Sequence, residues 1–125
     1  MKDIVSTNAP APIGPYSQAI VAGNLLFVSG QVAINPVTGD LVQDSIKAET
    51  TQVMENIKAI LTEAGTDFAH IAKTTIFLKD MAFFAEVNEV YGSYLTQPFP
   101  ARETVAVAGL PKNVNVEISV TVLLG

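Results

Sequence analysis

Two charged side chains stand in apolar company near the C-terminus, and their types suit work on a small acid. Arg102 lies in Pro100-Ala101-Arg102-Glu103-Thr104, at the head of a β-branched run. By the period of two along a strand, Arg102 and Thr104 share one face, and Glu103, Val105 and Val107 share the other. Arginine is seldom buried without a partner. Arg102 therefore reads either as an exposed edge residue or ion-pair member, or as a guanidinium fork offering a substrate carboxylate two parallel hydrogen bonds. Glu117 sits among Val116, Ile118 and Val120. It reads either as a solvated residue on the polar side of a strand, or as a carboxylate in a partly apolar cleft that orients or deprotonates water. Upstream, Gly14-Pro15-Tyr16-Ser17-Gln18 joins turn chemistry to a phenol hydroxyl that can donate and accept at a pocket rim. Ser29-Gly30-Gln31 ends a strand, where the glycine serves as a bend or lets a ligand approach the backbone.

Other chemistries find little support. The chain has no cysteine, which removes disulfides, thiol nucleophiles and thiolate-held metals. Its one histidine, His70, falls in a turn with nothing nearby to suggest a triad, and no ligand spacing points to a metal. Seven basic against twelve acidic residues give a formal charge of -5, which argues against a phosphate-backbone partner. The N-terminal Met1–Val5 segment has no apolar signal stretch, and no apolar run approaches the ~20 residues of a membrane span. The reading is a cytoplasmic protein. Charged residues make up only 15%, below the usual quarter, which hints at apolar surface covered by other subunits.

The elements that must position these residues can be read from periodicity. Ser17–Ala22 and Leu25–Ser29 flank Gly23-Asn24, a hairpin signal. Ile46, Thr50, Val53, Ile57, Ile60, Leu61 and Ala64 recur at helical steps, with Asp44 or Ser45 able to cap the start and Gly65 placed to end the helix. Ile71–Leu78 reads as a strand. Asp80 can cap a second helix, whose stripe is Phe84, Val87, Tyr91 and Tyr94 and which ends before Pro98. Thr104–Ala108 and Val114–Leu124 read as closing strands, the second with clean alternation. The order β-β-α-β-α-β-β in a single domain over residues 1–125 implies an α+β fold, a mixed sheet with two helices packed on one face.

Taken in order, several blocks resemble the RidA/YjgF family: Ile13-Gly14-Pro15-Tyr16-Ser17-Gln18-Ala19, Ser29-Gly30-Gln31, Asn56 to Leu61, Lys73 to Asp80, Phe84 to Tyr91, Phe99-Pro100-Ala101-Arg102, and Leu110-Pro111-Lys112 with Val116-Glu117-Ile118. The likeness runs from about Ile4 to the C-terminus. It implies a chorismate-mutase-like fold and a homotrimer with pockets between subunits. It also implies cofactor-free and metal-free hydrolysis of enamines and imines such as 2-aminoacrylate and 2-aminocrotonate to 2-keto acids and ammonia. Carried over by position, Arg102 clamps the substrate carboxylate and Glu117 positions the attacking water. Tyr16, Ser29, Gly30 and Asn88 line the pocket, and Thr104 contributes a backbone N–H and a wall. Many members have Arg-Ser-Cys where this chain has Arg102-Glu103-Thr104, so a cysteine is not required here. An acid beside Arg102 would compete with substrate, but alternation sends Glu103 to the other face. Two other function classes suit the same pocket less well: a keto-acid-binding regulator and a ribonuclease.

Overall fold

The computed structural model describes residues 1–125. In chain order the elements are β1 (Lys2–Ile4), β2 (Ala19–Ala22), β3 (Leu25–Gln31), α1 (Ile46–Glu63), β4 (Ile71–Leu78), α2 (Phe84–Ser93), β5 (Ala101–Ala106) and β6 (Val116–Leu123). The strands form one mixed sheet in the order β1-β2-β3-β6-β4-β5. Every neighbouring pair is antiparallel except β4 and β5, which run parallel.

The hairpin forms as the Gly-Asn signal predicts. Ala22 pairs with Leu25, and Gly23 takes a positive φ of 62° that a side chain would resist. Of the two residues able to cap α1, Ser45 does so, its hydroxyl accepting from the Ala48 N–H at 3.0 Å. The Asp80 carboxylate accepts from the Ala82 N–H at 2.8 Å, so it caps a short helical turn that leads into α2. The bounds of β2, β3, β5 and β6 differ from the sequence reading, and β1 is absent from it. Strand β1 is too short for alternation to reveal. Strand β5 begins at Ala101 because its ladder with β4 starts at Lys73–Ala101. Strand β6 begins at Val116 because the Asn115 backbone N–H is taken by the Glu49 carboxylate at 2.8 Å.

Both helices cover one face of the sheet. Val53, Met54, Ile57, Ile60 and Leu61 of α1, with Val87 and Tyr91 of α2, pack on the inward residues Leu26, Val28, Ile76, Leu78, Val116, Ile118, Val120 and Val122. The other face carries no helix. There Phe27, Val105 and Leu123 are exposed beside Glu117, Ser119 and Thr121. No helix is long and apolar enough to cross a membrane.

Candidate functional site

Arg102 lies on the helix-covered side of the edge strand β5. Its guanidinium donates to the Asn88 side-chain oxygen on α2 at 2.6 Å. The same group lies 5.7 Å from the Phe84 ring centre and 5.3 Å from that of Tyr91, within cation–π range. Phe84, Asn88 and Tyr91 are spaced by four and three residues, so one face of α2 presents all three. Tyr91 is itself fixed, its hydroxyl donating to the Thr74 hydroxyl at 2.9 Å. Burial raises its phenol pKa, keeping the ring neutral against the cation. Asn88, Tyr91, Gly92, Leu95, Phe99, Pro100 and Arg102 line an open groove of about 440 Å³. No carboxylate of this chain pairs with Arg102.

Glu103 does not compete for it. As alternation predicts, it points to the opposite face, where it accepts from the Thr75 hydroxyl at 2.9 Å and pairs with Lys73 at 3.2 Å. Those hydrogen bonds lower its pKa. Thr104 shares the Arg102 side, and its hydroxyl oxygen is buried without a hydrogen-bond partner in the chain. A buried, unpartnered hydroxyl is uncommon and costs stability.

Glu117 lies elsewhere, on the open face of β6. Thr74 faces both Arg102 and Val120, whereas Glu117 faces Phe77, so β4 stands between the two charged residues. Glu117 alternates with the buried Val116 and Ile118, which puts its side chain on the face opposite α2. Its carboxylate is half-buried, and burial alone raises its pKa above the ordinary 4.5. Gly30 is the reason it fits. A Cβ on Gly30 would stand 2.6 Å from a Glu117 carboxylate oxygen. The missing side chain thus leaves room for the Glu117 carboxylate.

The Tyr16 loop borders the same side. Tyr16, Gly30 and Gln31 line a small recess with Pro10 and Ile13. The Tyr16 hydroxyl accepts from the Ile13 N–H at a long 3.4 Å, which leaves it nearly free. Ser29, by contrast, is committed: its hydroxyl donates to the Ser17 carbonyl at 2.6 Å and so ties the loop to β3.

Four anchors escape the sequence reading. Tyr91 and Phe84 read there as core stripe, although their spacing from Asn88 is visible. Gln18 is buried, accepting from the Ser6 N–H at 2.7 Å and donating to the carbonyls of Ser6 and Pro10 at 3.1 and 2.9 Å. It thereby knots the loop that carries Tyr16. Buried Glu49 takes both the backbone N–H and the side-chain amide of Asn115, at 2.8 and 2.7 Å, two residues before Glu117. His70 is exposed, 2.9 Å from the Asp67 carboxylate in a short helical turn. No three His, Asp or Glu side chains gather as a metal would require.

Comparison with known proteins adds a context. The family described as Endoribonuclease L-PSP matches residues 6–124. A RutC family protein from Pyrococcus horikoshii is 55% identical, over 94% of each chain. The chloroplastic protein of Arabidopsis thaliana named Reactive Intermediate Deaminase A is 49% identical, over 94% of this chain and 63% of its own. Among solved structures, RidA from the Antarctic bacterium Psychrobacter is 41% identical with a TM-score of 0.94, covering 99% of this chain and 100% of that one. Escherichia coli TdcF, solved with bound serine, is 37% identical with a TM-score of 0.94 and full coverage of both chains, 100% each.

Proposed function

The chain belongs to the YjgF/RidA/RutC family, and on that premise we propose that it hydrolyses reactive 2-enamino and 2-imino acids to 2-keto acids and ammonia, at sites shared between copies in a homotrimer. The observation that carries this reading is the separation of Arg102 and Glu117 on opposite faces of one sheet, with β4 between them. Each has the character of half a site. A second copy is what brings such halves together, and a head-to-tail interface repeated around a threefold axis makes three equal pockets. The exposed Phe27, Val105 and Leu123 on the helix-free face give that assembly apolar area to bury.

The chemistry follows from the groups. Arg102, free of any carboxylate, takes the substrate carboxylate and fixes the adjacent carbon. The enamine tautomerises to the imine. Water adds to the imine carbon, with one water proton passing to the Glu117 carboxylate. Glu117 returns that proton to the nitrogen to give the carbinolamine, which then collapses: its hydroxyl proton passes through Glu117 to the departing nitrogen as the carbonyl forms and the carbon–nitrogen bond breaks, and 2-keto acid and ammonia leave. A carboxylate whose burial favours the neutral form suits this exchange. Neither a metal nor a cofactor has a part in these steps. A ribonuclease reading fits the surface less well, since the formal charge is -5.

Mixing two inactive variants tests the shared site. Arg102→Ala and Glu117→Gln chains, denatured and refolded together in equal amounts, give each pocket about a one-in-four chance of one intact Arg102 and one intact Glu117 from head-to-tail neighbours. Keto-acid formation in the presence of a serine or threonine dehydratase should return to roughly a quarter of the parent's effect. No recovery, with trimers formed, would mean that the two residues do not meet across an interface.

A further inference from the structure

Strand β3 turns one polar side chain toward the core. Leu26 and Val28 are buried on its inward face, and so is Gln31, with 6% of its surface exposed. Burying an amide costs free energy unless it is hydrogen-bonded, so Gln31 calls for a reason.

The ladder with β6 supplies one. Val28 stands opposite Val120 and Gln31 opposite Ile118, so Ser29 and Gly30 together face the single residue Ser119. This is a β-bulge. A regular ladder would set Gly30 opposite Ile118 and Gln31 opposite Glu117. Ser29 is held at every polar atom. Its N–H donates to the Gln18 carbonyl at 2.9 Å and its hydroxyl to the Ser17 carbonyl at 2.6 Å, while its own carbonyl accepts from the Gln31 side-chain amide at 3.1 Å. The first two bonds tie the bulge to the segment before β2, and only the third comes from the inward side chain. All are made within one chain. Gly30 follows, and a Cβ there would meet a Glu117 carboxylate oxygen at 2.6 Å, the carboxylate carbon at 2.7 Å and Cγ at 3.0 Å. The end of Glu117 therefore rests on this one backbone position.

We infer that Gln31 is a positioning residue: from the inward face its amide holds the Ser29–Gly30 bulge against the Glu117 carboxylate, and so sets where the proton-exchanging group of the proposed reaction stands. This rests on the proton-transfer role proposed for Glu117. Without the amide, the Ser29 carbonyl loses a donor and the bulge relaxes, which moves Gly30 and the carboxylate lying on it. On the same face of the chain, Lys73 and Glu103 are paired with each other at 3.2 Å, and burial alone raises the Glu117 pKa.

Gln31→Met keeps the side chain's length and removes the donor. In the assembled protein it should lower kcat for keto-acid formation about 10-fold, as a slightly misplaced reacting group does, and leave 2-ketobutyrate affinity unchanged. Added to Glu117→Gln it should cost nothing more, because both changes act on one group. The Glu117 carboxyl titration, followed by NMR and assigned by its loss in Glu117→Gln, should move down toward 4.5 as the carboxylate gains water. An undiminished rate, an equal loss with and without Glu117, or an unmoved titration would overturn the assignment. If Gln31→Met fails to assemble, the parent protein decides. Its Gln31 side-chain amide signal should shift with the Glu117 midpoint and lose that inflection in Glu117→Gln, and a flat signal would break the link. Turnover at the parent rate in Glu117→Gln alone would sink the proton-transfer reading first, and this inference with it.

Discussion

Arg102 and Glu117 are held in opposite ways, and the contrast separates binding from proton transfer. Arg102 is gripped by a neutral amide and two aromatic rings, so its position is fixed and its charge is left unspent. Glu117 has no hydrogen bond or ion pair in the chain and is set only by burial and by the space over Gly30. Fixing a charge favours recognition of an ion, since little order is lost when it arrives. Leaving a carboxylate unpaired and partly desolvated narrows the gap between its two protonation states at neutral pH, which is what an exchanging group needs.

The largest effect expected from this contrast is on turnover. Glu117→Gln keeps the side chain's shape but cannot accept a proton. It should slow keto-acid formation by ~100- to 10,000-fold while 2-ketobutyrate still binds. Turnover near the parent rate would hand the proton-moving role to another group. Gly30→Ala probes the same half more gently, because the added methyl must displace the Glu117 carboxylate. A displaced catalytic group costs about 10- to 100-fold in rate, and steady-state assays with unaltered keto-acid affinity would locate the loss in chemistry. An undiminished rate in Gly30→Ala would show that the carboxylate's resting position does not matter.

The recognition half should respond in affinity. Arg102→Ala should weaken 2-ketobutyrate binding by at least ~10-fold, since a charge-assisted bidentate pair exceeds ~1.4 kcal/mol. Arg102→Lys should recover it only in part, lacking the planar fork. Equal affinity in the parent and in Arg102→Ala would erase the contrast.

The smallest effect is on stability. Glu117 has a raised pKa in the folded chain, so folding favours its protonated form. The resulting penalty is absent below the ordinary carboxylate value of 4.5, grows as pH rises through the window up to the raised value, and is complete above it. Glu117→Gln should therefore raise Tm by a few degrees at pH 7 and leave it unchanged well below 4.5. An equal rise at both pH values would trace the gain to packing and not to charge.

Much of this protein is determined along the chain. Alternation over Val116–Leu123 assigns Glu117 to the side away from the helices, and the same rule separates Arg102 from Glu103. The Gly23 turn and the α1 stripe follow from local sterics and period, because φ preference and face burial are decided within a few residues. Long-range pairing is a different matter. That β6 inserts between β3 and β4, while β5 joins β4 in parallel at the edge, depends on which strands bury the most together, and no local pattern carries that. The same holds for the site. A period-two reading tells which face a residue takes, not which neighbour waits there. Only the fold decided that Tyr91 and Phe84 flank a guanidinium, that Glu117 fills the space above Gly30, that Ser29 is tied to the Ser17 carbonyl, and that β4 keeps the two charged groups apart. Those contacts join residues far apart in sequence, so their energies exist only once the sheet has closed.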